Sequence, residues 1–320
     1  MLKSAYRKEW YVESCIARGF LGTAPGSRIP TITEYADLFD CSRGIVQNAL
    51  NALEDRQVIT LDRQGKRGTY LLRKQEDQLF SCSGISHLTA SMPPPINRHF
   101  AGLATGICQG MSRCPVPFTF AFVQGSRNRV EFLLSGAYDF VVTTGYAGLR
   151  YAEMYPEIQI AFPFEGCEYA LPHKLYINHP GKQSLESGMT VAVDPSSCDQ
   201  VAVTEKICEG KNVTIEKMPF VSALYAFYSG SIDAILFRDG IQDENDNLLN
   251  LMMKNDIKID KSRISEIPVP NRDPAMEQAV ALIHRDNCGI REILQNYLLG
   301  DGVGSIQKQV REGTMLPRFY

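Results

Sequence analysis

Four short stretches hold most of the residues that could do chemistry in this 320-residue chain. Gln124-Gly125-Ser126-Arg127 follows the apolar run 118–123. A strand end that meets a helix start offers free amides and the positive end of a helix dipole, which suits an anion. Gly125 would let a ligand approach the backbone, and Ser126 offers a hydroxyl. Arg127 offers a fork for a carboxylate or phosphate. The plainer alternative, Ser126 as a cap and Arg127 in water, stands beside it on equal terms. Pro195-Ser196-Ser197 repeats the arrangement after the run 189–194, with proline and serines suited to a helix start. Thr143-Thr144-Gly145 closes a third apolar run with hydroxyls. Met92 ends a fourth, just before Pro93-Pro94-Pro95. Two acids, Asp139 and Asp233, also share a pattern, Ser-Gly-x-x-Asp, at 135–139 and 229–233. A repeated pair of carboxylates suggests a general acid and base, but repetition by topology makes them turn or cap residues instead.

The elements that would position these groups form a repeat. A strand-like run (118–123, 213–218) leads to a helix that ends at Ser-Gly, where glycine accepts φ > 0 cheaply. The Asp follows, then an apolar run (140–142, 232–237) that reads as a buried parallel strand. Two such units about ninety residues apart predict two similar α/β lobes with a cleft between them, and small ligands favour clefts. The prolines at 93–95 suit the first turn of a helix over 96–111. The stretch through Tyr176-Ile177-Asn178 is the expected crossover to the second lobe. Arg238 could reach into the cleft or pair with Asp239, and the pair is favoured. Leu248-Leu249 and Leu251-Met252-Met253 read as a helix. Strands are expected over 264–269 and 279–283, the latter returning to the first lobe. Helices over 290–299, with Ile290, Ile293, Leu294 and Tyr297 inward, and over 301–312 complete the chain.

The composition is that of an ordinary soluble globular protein, 44% hydrophobic and 22% charged. The net charge of −3 conceals an asymmetry: residues 1–75 carry twelve Lys/Arg and eight Asp/Glu, hence +4, which leaves −7 for the remainder. A basic end on an acidic body points to an anionic partner at that end. The nine cysteines include no Cys-x-x-Cys pair, so zinc-ligand spacing is absent and no metal is expected. Unpaired cysteines of this kind are small buried hydrophobes of a reducing compartment. No cofactor motif, nucleophile elbow or phosphate loop occurs, and the five histidines are scattered. An enzyme acting on a small anionic substrate in the cleft is the alternative reading, with no catalytic residue to assign. The charged N-terminus lacks a signal-peptide core and no apolar run approaches ~18 residues, so a cytoplasmic location is expected.

The first 75 residues have a different organisation. Val12, Ile16 and Phe20 share a helical face. Thr31 and Glu34 make a capping box ahead of a short helix. Ser42 caps a second helix, with Val46, Ala49, Leu50 and Leu53 inward and Arg43, Gln47, Asn48 and Asn51 outward. Arg matches guanine, and Gln and Asn match adenine. Two β-type runs, 58–61 and 69–72, flank a basic tip with Gly65, Lys66, Arg67 and Gly68. Helix, turn, helix and basic hairpin make a winged helix.

On these residues the region 8–72 resembles the GntR-type winged-helix family. The carriers are Pro25 to Thr31, Cys41-Ser42-Arg43 with 46–53, and Gln64 to Tyr70. The resemblance implies that Arg28, Thr31, Ser42, Arg43, Gly44, Gln47, Asn48 and the 65–68 tip contact double-stranded DNA. It departs from the family at Thr33 and Gln47, where arginine is usual. The rest looks like a type 2 periplasmic-binding-protein fold serving as an effector domain, as in LysR-type proteins, and the whole resembles YhfZ-type transcriptional regulators. The expected fold is therefore α/β: an N-terminal winged helix-turn-helix followed by a bilobal type 2 periplasmic-binding-protein-like domain. Expected boundaries are 1–75 for the winged helix, 76–87 for a linker and 88–320 for the effector domain, with the second lobe at about 180–270. The expected function is a homodimeric regulator that binds an operator and senses a small anionic effector. In this fold ligands sit on strand-to-helix loops, which implicates Met92, Gln124, Gly125, Ser126, Arg127, Thr143, Thr144, Gly145, Pro195, Ser196 and Ser197.

Overall fold

The computed structural model describes residues 2–169, 171–238, 261–269, 273–287, 289–299 and 301–319. The expected helix around Leu248 to Met253 lies outside them, as do Asp239 and Cys288. The chain divides into two compact units: residues 1–88, 110–119 and 285–299, and residues 89–109, 120–284 and 300–320.

In the first unit α1 (Leu2–Gly22) buries Val12, Ile16 and Phe20 as their spacing predicts. Ahead of α2 (Ile32–Leu38) the capping box is complete. The Thr31 hydroxyl accepts from the Glu34 amide at 3.2 Å, and the Thr31 amide donates to Glu34 Oε2 at 2.6 Å. The inward residues of α2 are Tyr35 and Ala36, with Phe39 stacked on Tyr35. Ser42 caps α3 (Arg43–Asp55), whose buried face is the expected Val46, Ala49, Leu50 and Leu53. The wing is the antiparallel pair β1 (Ile59–Arg63) and β2 (Thr69–Lys74), with a 3-10 turn at Gly65–Arg67. Residues 76–87 are not a plain linker. They form α4 (Glu76–Ser83), which buries Leu79 and Phe80, and Arg18 Nε donates to the Ser83 carbonyl at 2.8 Å. Two apolar anchors in eight residues are too few to show a period.

The second unit contains two five-stranded sheets. The first is built from β3 (Leu88–Met92), β4 (Phe118–Phe122), β5 (Phe140–Thr144), β6 (Ile158–Glu168) and a strand from much later in the chain. Between these strands run α5 (Arg98–Met111), α6 (Ser126–Leu134) and α7 (Gly145–Met154). The prolines at 93–95 precede α5 rather than start it. Asn97 Oδ1 caps the helix, accepting from the Phe100 amide at 2.8 Å. The second sheet is built from β7 (Lys174–Ile177), β8 (Thr190–Val193), β9 (Thr214–Lys217), β10 (Ala234–Phe237) and β11 (Ser265–Pro268), with α8 (Cys198–Cys208) and α9 (Phe220–Ser229). Then β12 (Gln278–His284) returns to the first sheet, as expected. The orders are β4-β3-β5-β12-β6 and β9-β8-β10-β7-β11. Both place one antiparallel strand, β12 or β7, beside the strand that follows Ser-Gly-x-x-Asp, β5 or β10, so each lobe repeats the other. This is the bilobal, type 2 periplasmic-binding-protein-like arrangement. The chain crosses between lobes after β6 and again before β12, and the Tyr169 amide donates to the Glu277 carbonyl at 2.7 Å, joining the two crossovers.

The repeated acids hold strands, not substrate. Asp139 Oδ2 accepts from the Thr89 amide at 2.8 Å, and Asp233 Oδ2 accepts from the Thr190 amide at 2.8 Å. Asp139 thus pins the start of β3 to the start of β5, and Asp233 the start of β8 to the start of β10. Alanine at either position strands a backbone donor, and thermal unfolding should register a loss of about 1 kcal/mol. Burial opposes ionisation of Asp233, but the Thr190 amide and His179 hold it below the usual carboxylate range. Its folded pKa is depressed. Its contribution is therefore present above a pH of about 4 and disappears as pH falls through the folded value. An Asp233→Ala loss that is independent of pH would remove this account.

After β12, α10 (Ile290–Leu298) packs in the first unit on α1. A Cβ on Gly22 would lie 2.0 Å from Glu292 Cβ, and Asn296 Nδ2 donates to the Leu21 carbonyl at 2.8 Å. Its buried residues are Ile290, Ile293, Leu294 and Leu298, and Tyr297 is half-buried. The last helix, α11 (Asp301–Arg311), belongs to the second unit.

Candidate functional site

Between the two lobes lies a cavity of about 90 Å³. Of the expected residues, Gln124, Gly125, Ser126, Thr143 and Ser197 line it. Gly125 takes φ 83°, a region open to glycine, and brings the loop close to the second lobe. Met92, Arg127, Thr144, Gly145, Pro195 and Ser196 do not line it. Met92 is fully buried at the end of β3. Arg127 is exposed and paired with Glu131 at 3.1 Å.

The free amides expected at the two helix starts are occupied. The Arg127 amide of α6 donates to the Ser196 carbonyl at 2.9 Å, and the Cys198 amide of α8 donates to Ser126 Oγ at 3.2 Å. Each lobe thus caps the other's helix. Ser196 is held in turn by Asp194, whose Oδ1 accepts from its amide at 2.8 Å and its hydroxyl at 2.7 Å. Thr144 caps α7 and donates to Asp199 Oδ1 at 2.9 Å, a third tie across the cleft.

The charged groups of the cavity were not singled out in the sequence, apart from Arg238. Arg129 is 2% exposed. Its Nε donates to the Val142 carbonyl at 3.2 Å, Nη1 to the Val123 carbonyl at 2.7 Å and Nη2 to the Tyr169 hydroxyl at 3.0 Å. All three partners are neutral oxygens. Helical periodicity held this signal: Ser126, Arg129, Val130 and Leu133 form the buried face of α6, and Arg127 stands about 200° from Arg129. Asp239, the partner favoured for Arg238, lies outside the described residues, and Arg238 reaches into the cleft. Its Nη2 donates to Asp199 Oδ2 at 2.6 Å and Nη1 to the Met276 carbonyl at 3.0 Å, in the second crossover. Burial raises the Asp199 pKa, while Arg238 and the Thr144 hydroxyl oppose the rise. Arg129 also opposes that rise, so among the described lining residues two arginines face one carboxylate and one positive charge is in excess. A buried guanidinium whose hydrogen-bond partners are all neutral is costly unless an anion joins it.

In the first unit, Arg43, Gly44 and Asn48 are exposed along α3, while Gln47 is half-buried and donates to Asn51 Oδ1 at 2.9 Å. Ser42 and Thr31 are occupied as helix caps. Lys66 and Arg67 are exposed at the wing tip, and the Arg28 side chain lies against Gly68. Glu54 accepts from the Leu61 amide at 3.2 Å and pairs with Arg63, so the end of α3 is tied to the wing. Among the described residues no group of three or more His, Cys, Asp or Glu could hold a metal, and no helix is long and apolar enough to cross a membrane.

Fold and site together define a two-part chain, a helix-turn-helix domain joined to a bilobal α/β domain. Residues 24–71 match the family described as a helix-turn-helix domain, and residues 75–319 match the YhfZ C-terminal domain. The chain belongs to the YhfZ family. It is 25% identical over 319 residues to the YhfZ protein of Escherichia coli (strain K12), with 100% of both chains covered. The crystal structure of YhfZ from Shigella flexneri is similar, with a TM-score of 0.59, 23% identity, and 76% of this chain and 97% of that one covered. An ancestral arginine-binding protein bound to arginine is also similar, with a TM-score of 0.49, 17% identity, and 71% of this chain and 97% of that one covered.

Proposed function

We propose that this protein is a cytoplasmic, DNA-binding transcription regulator whose bilobal domain senses a small anion. The observation that carries the anionic class is Arg129, a buried guanidinium with neutral partners inside the interlobe cavity. Arg129 takes the anchoring role that the sequence had suggested for Arg127. The effector adds the missing charge, and binding favours the closed lobes by its differential affinity for the two states. At the other end, Arg43, Gly44, Gln47 and Asn48 on α3 read bases in the major groove. Arg28 and the 65–68 tip approach the backbone and minor groove, as in the GntR-type resemblance. One recognition helix reads few bases, so a homodimer on paired half-sites supplies the specificity.

DNA from upstream of the protein's own operon should be retarded by the full chain, with a binding constant that falls steeply as salt rises. Arg43→Ala should weaken that binding by about 1–3 kcal/mol. Absence of retardation at low salt, with and without small anions, would end the regulator reading. Unchanged binding by the Arg43 variant would mean that another surface reads the operator.

A further inference from the structure

We infer that the cleft takes a small monocarboxylate with an oxygen on the carbon next to the carboxylate, that is, a 2-oxo or 2-hydroxy acid. The inference rests on the anion-sensing reading and narrows it from three observations. The first is charge. Of Lys, Arg, Asp and Glu, the described lining holds Arg129, Arg238 and Asp199, so one positive charge is in excess, and one negative charge answers it. A dicarboxylate or a doubly charged phosphate would leave a buried negative charge uncompensated.

The second is geometry. Each terminal nitrogen of a guanidinium carries two hydrogens. Nη1 spends one on Val123 and Nη2 one on Tyr169, while Nε is taken by Val142. One hydrogen on each terminal nitrogen is left, and two parallel donors match the two oxygens of a carboxylate. The third is the Thr143 hydroxyl. Thr143 is 1% exposed and lines the cavity, and its Oγ1 lies beside Tyr169 without reaching hydrogen-bond geometry. A buried hydroxyl without a partner is costly. An oxygen one carbon from the carboxylate, close to where Arg129 holds it, gives that hydroxyl a partner.

Size agrees. A water needs about 10–15 Å³ of such space, so a cavity of about 90 Å³ accommodates about six to nine non-hydrogen atoms. That is an acid of about three to five carbons. The remaining walls, among them Phe100, Phe220, Phe237 and Leu236, are apolar and suit a short hydrocarbon end.

The test is isothermal titration of the full chain with pyruvate, lactate, propionate, succinate and inorganic phosphate. Pyruvate or lactate should bind at least about tenfold more tightly than propionate, which has the same carbon count but lacks the oxygen. Thr143→Val should bring the preferred acid down to the propionate level, and Arg129→Met should remove binding of all three. The threonine variant is nearly isosteric, so it keeps the test alive should the arginine variant fail to fold. Propionate binding as tightly as pyruvate and lactate, or a threonine variant that keeps the preference, overturns the inference. Binding of succinate or phosphate alone overturns it too, while leaving anion sensing in place. If no anion binds, the inference falls, and operator retardation separately decides whether the chain is a regulator.

Discussion

Alanine in place of Gly125 should disfavour the closed lobes by about 3 kcal/mol, a shift of about a hundredfold in the closed-to-open ratio. Two costs add. The residue sits at φ 83°, which an L side chain rarely adopts. The new Cβ would also stand 2.1 Å from Ser196 Oγ and 2.5 Å from Ser196 Cβ, far inside contact distance. The contact crosses the cleft, so the direct relief is to part the lobes. Parting them breaks the hydrogen bond from the Arg127 amide to the Ser196 carbonyl and that from the Cys198 amide to Ser126. Small-angle scattering should report a larger radius of gyration for the variant, and any ligand of the cleft should lose affinity in proportion. Adding Ser196→Gly removes both clashing atoms and should restore part of the closed population, leaving only the backbone strain. A Gly125→Ala chain as compact as the parent would show that this loop does not govern closure.

Leucine at Asp199 is expected to cost about 3–5 kcal/mol in urea unfolding. Among the described residues Asp199 is the one carboxylate of the cavity wall, and it receives Arg238 and Thr144. Its loss leaves Arg238, with a side chain 13% exposed, buried without a counter-charge. It also takes away the acceptor of the Thr144 hydroxyl proton. The double variant Asp199→Leu/Arg238→Met should recover much of the loss, because neither member of the pair is then left without the other; removing a whole buried pair is often close to neutral. Additive losses would show that the two residues act independently and that the pair is incidental.

The two lobes were legible in the order of residues because their signals are local. Ser-Gly-x-x-Asp marks a helix end and a strand start in both lobes. Gly136 and Gly230 take φ 76° and 80° there, and the two acids hold Thr89 and Thr190 alike. The caps at Thr31 and Ser42 and the buried face of α3 were legible for the same reason, since each spans only a turn or a few turns. The linker failed because eight residues of helix show no period, and the domain membership of α10 failed because Gly22 and Glu292 meet across 270 positions.

The site divides along the same line. The sequence by itself determined which loops meet at the cleft, because strand ends and helix starts follow from the apolar runs. Only the tertiary structure decided which side chains fill it. Arg127 was the nearest cation to the strand end, yet the turn of α6 sends it to Glu131 and sends Arg129 inward. Arg238 pairs with Asp199, on a helix that begins forty residues earlier. Charge partners are chosen by distance in a low-dielectric interior, where pairing is worth most. That distance is set by how the two sheets close on each other, which spacing along the chain does not encode.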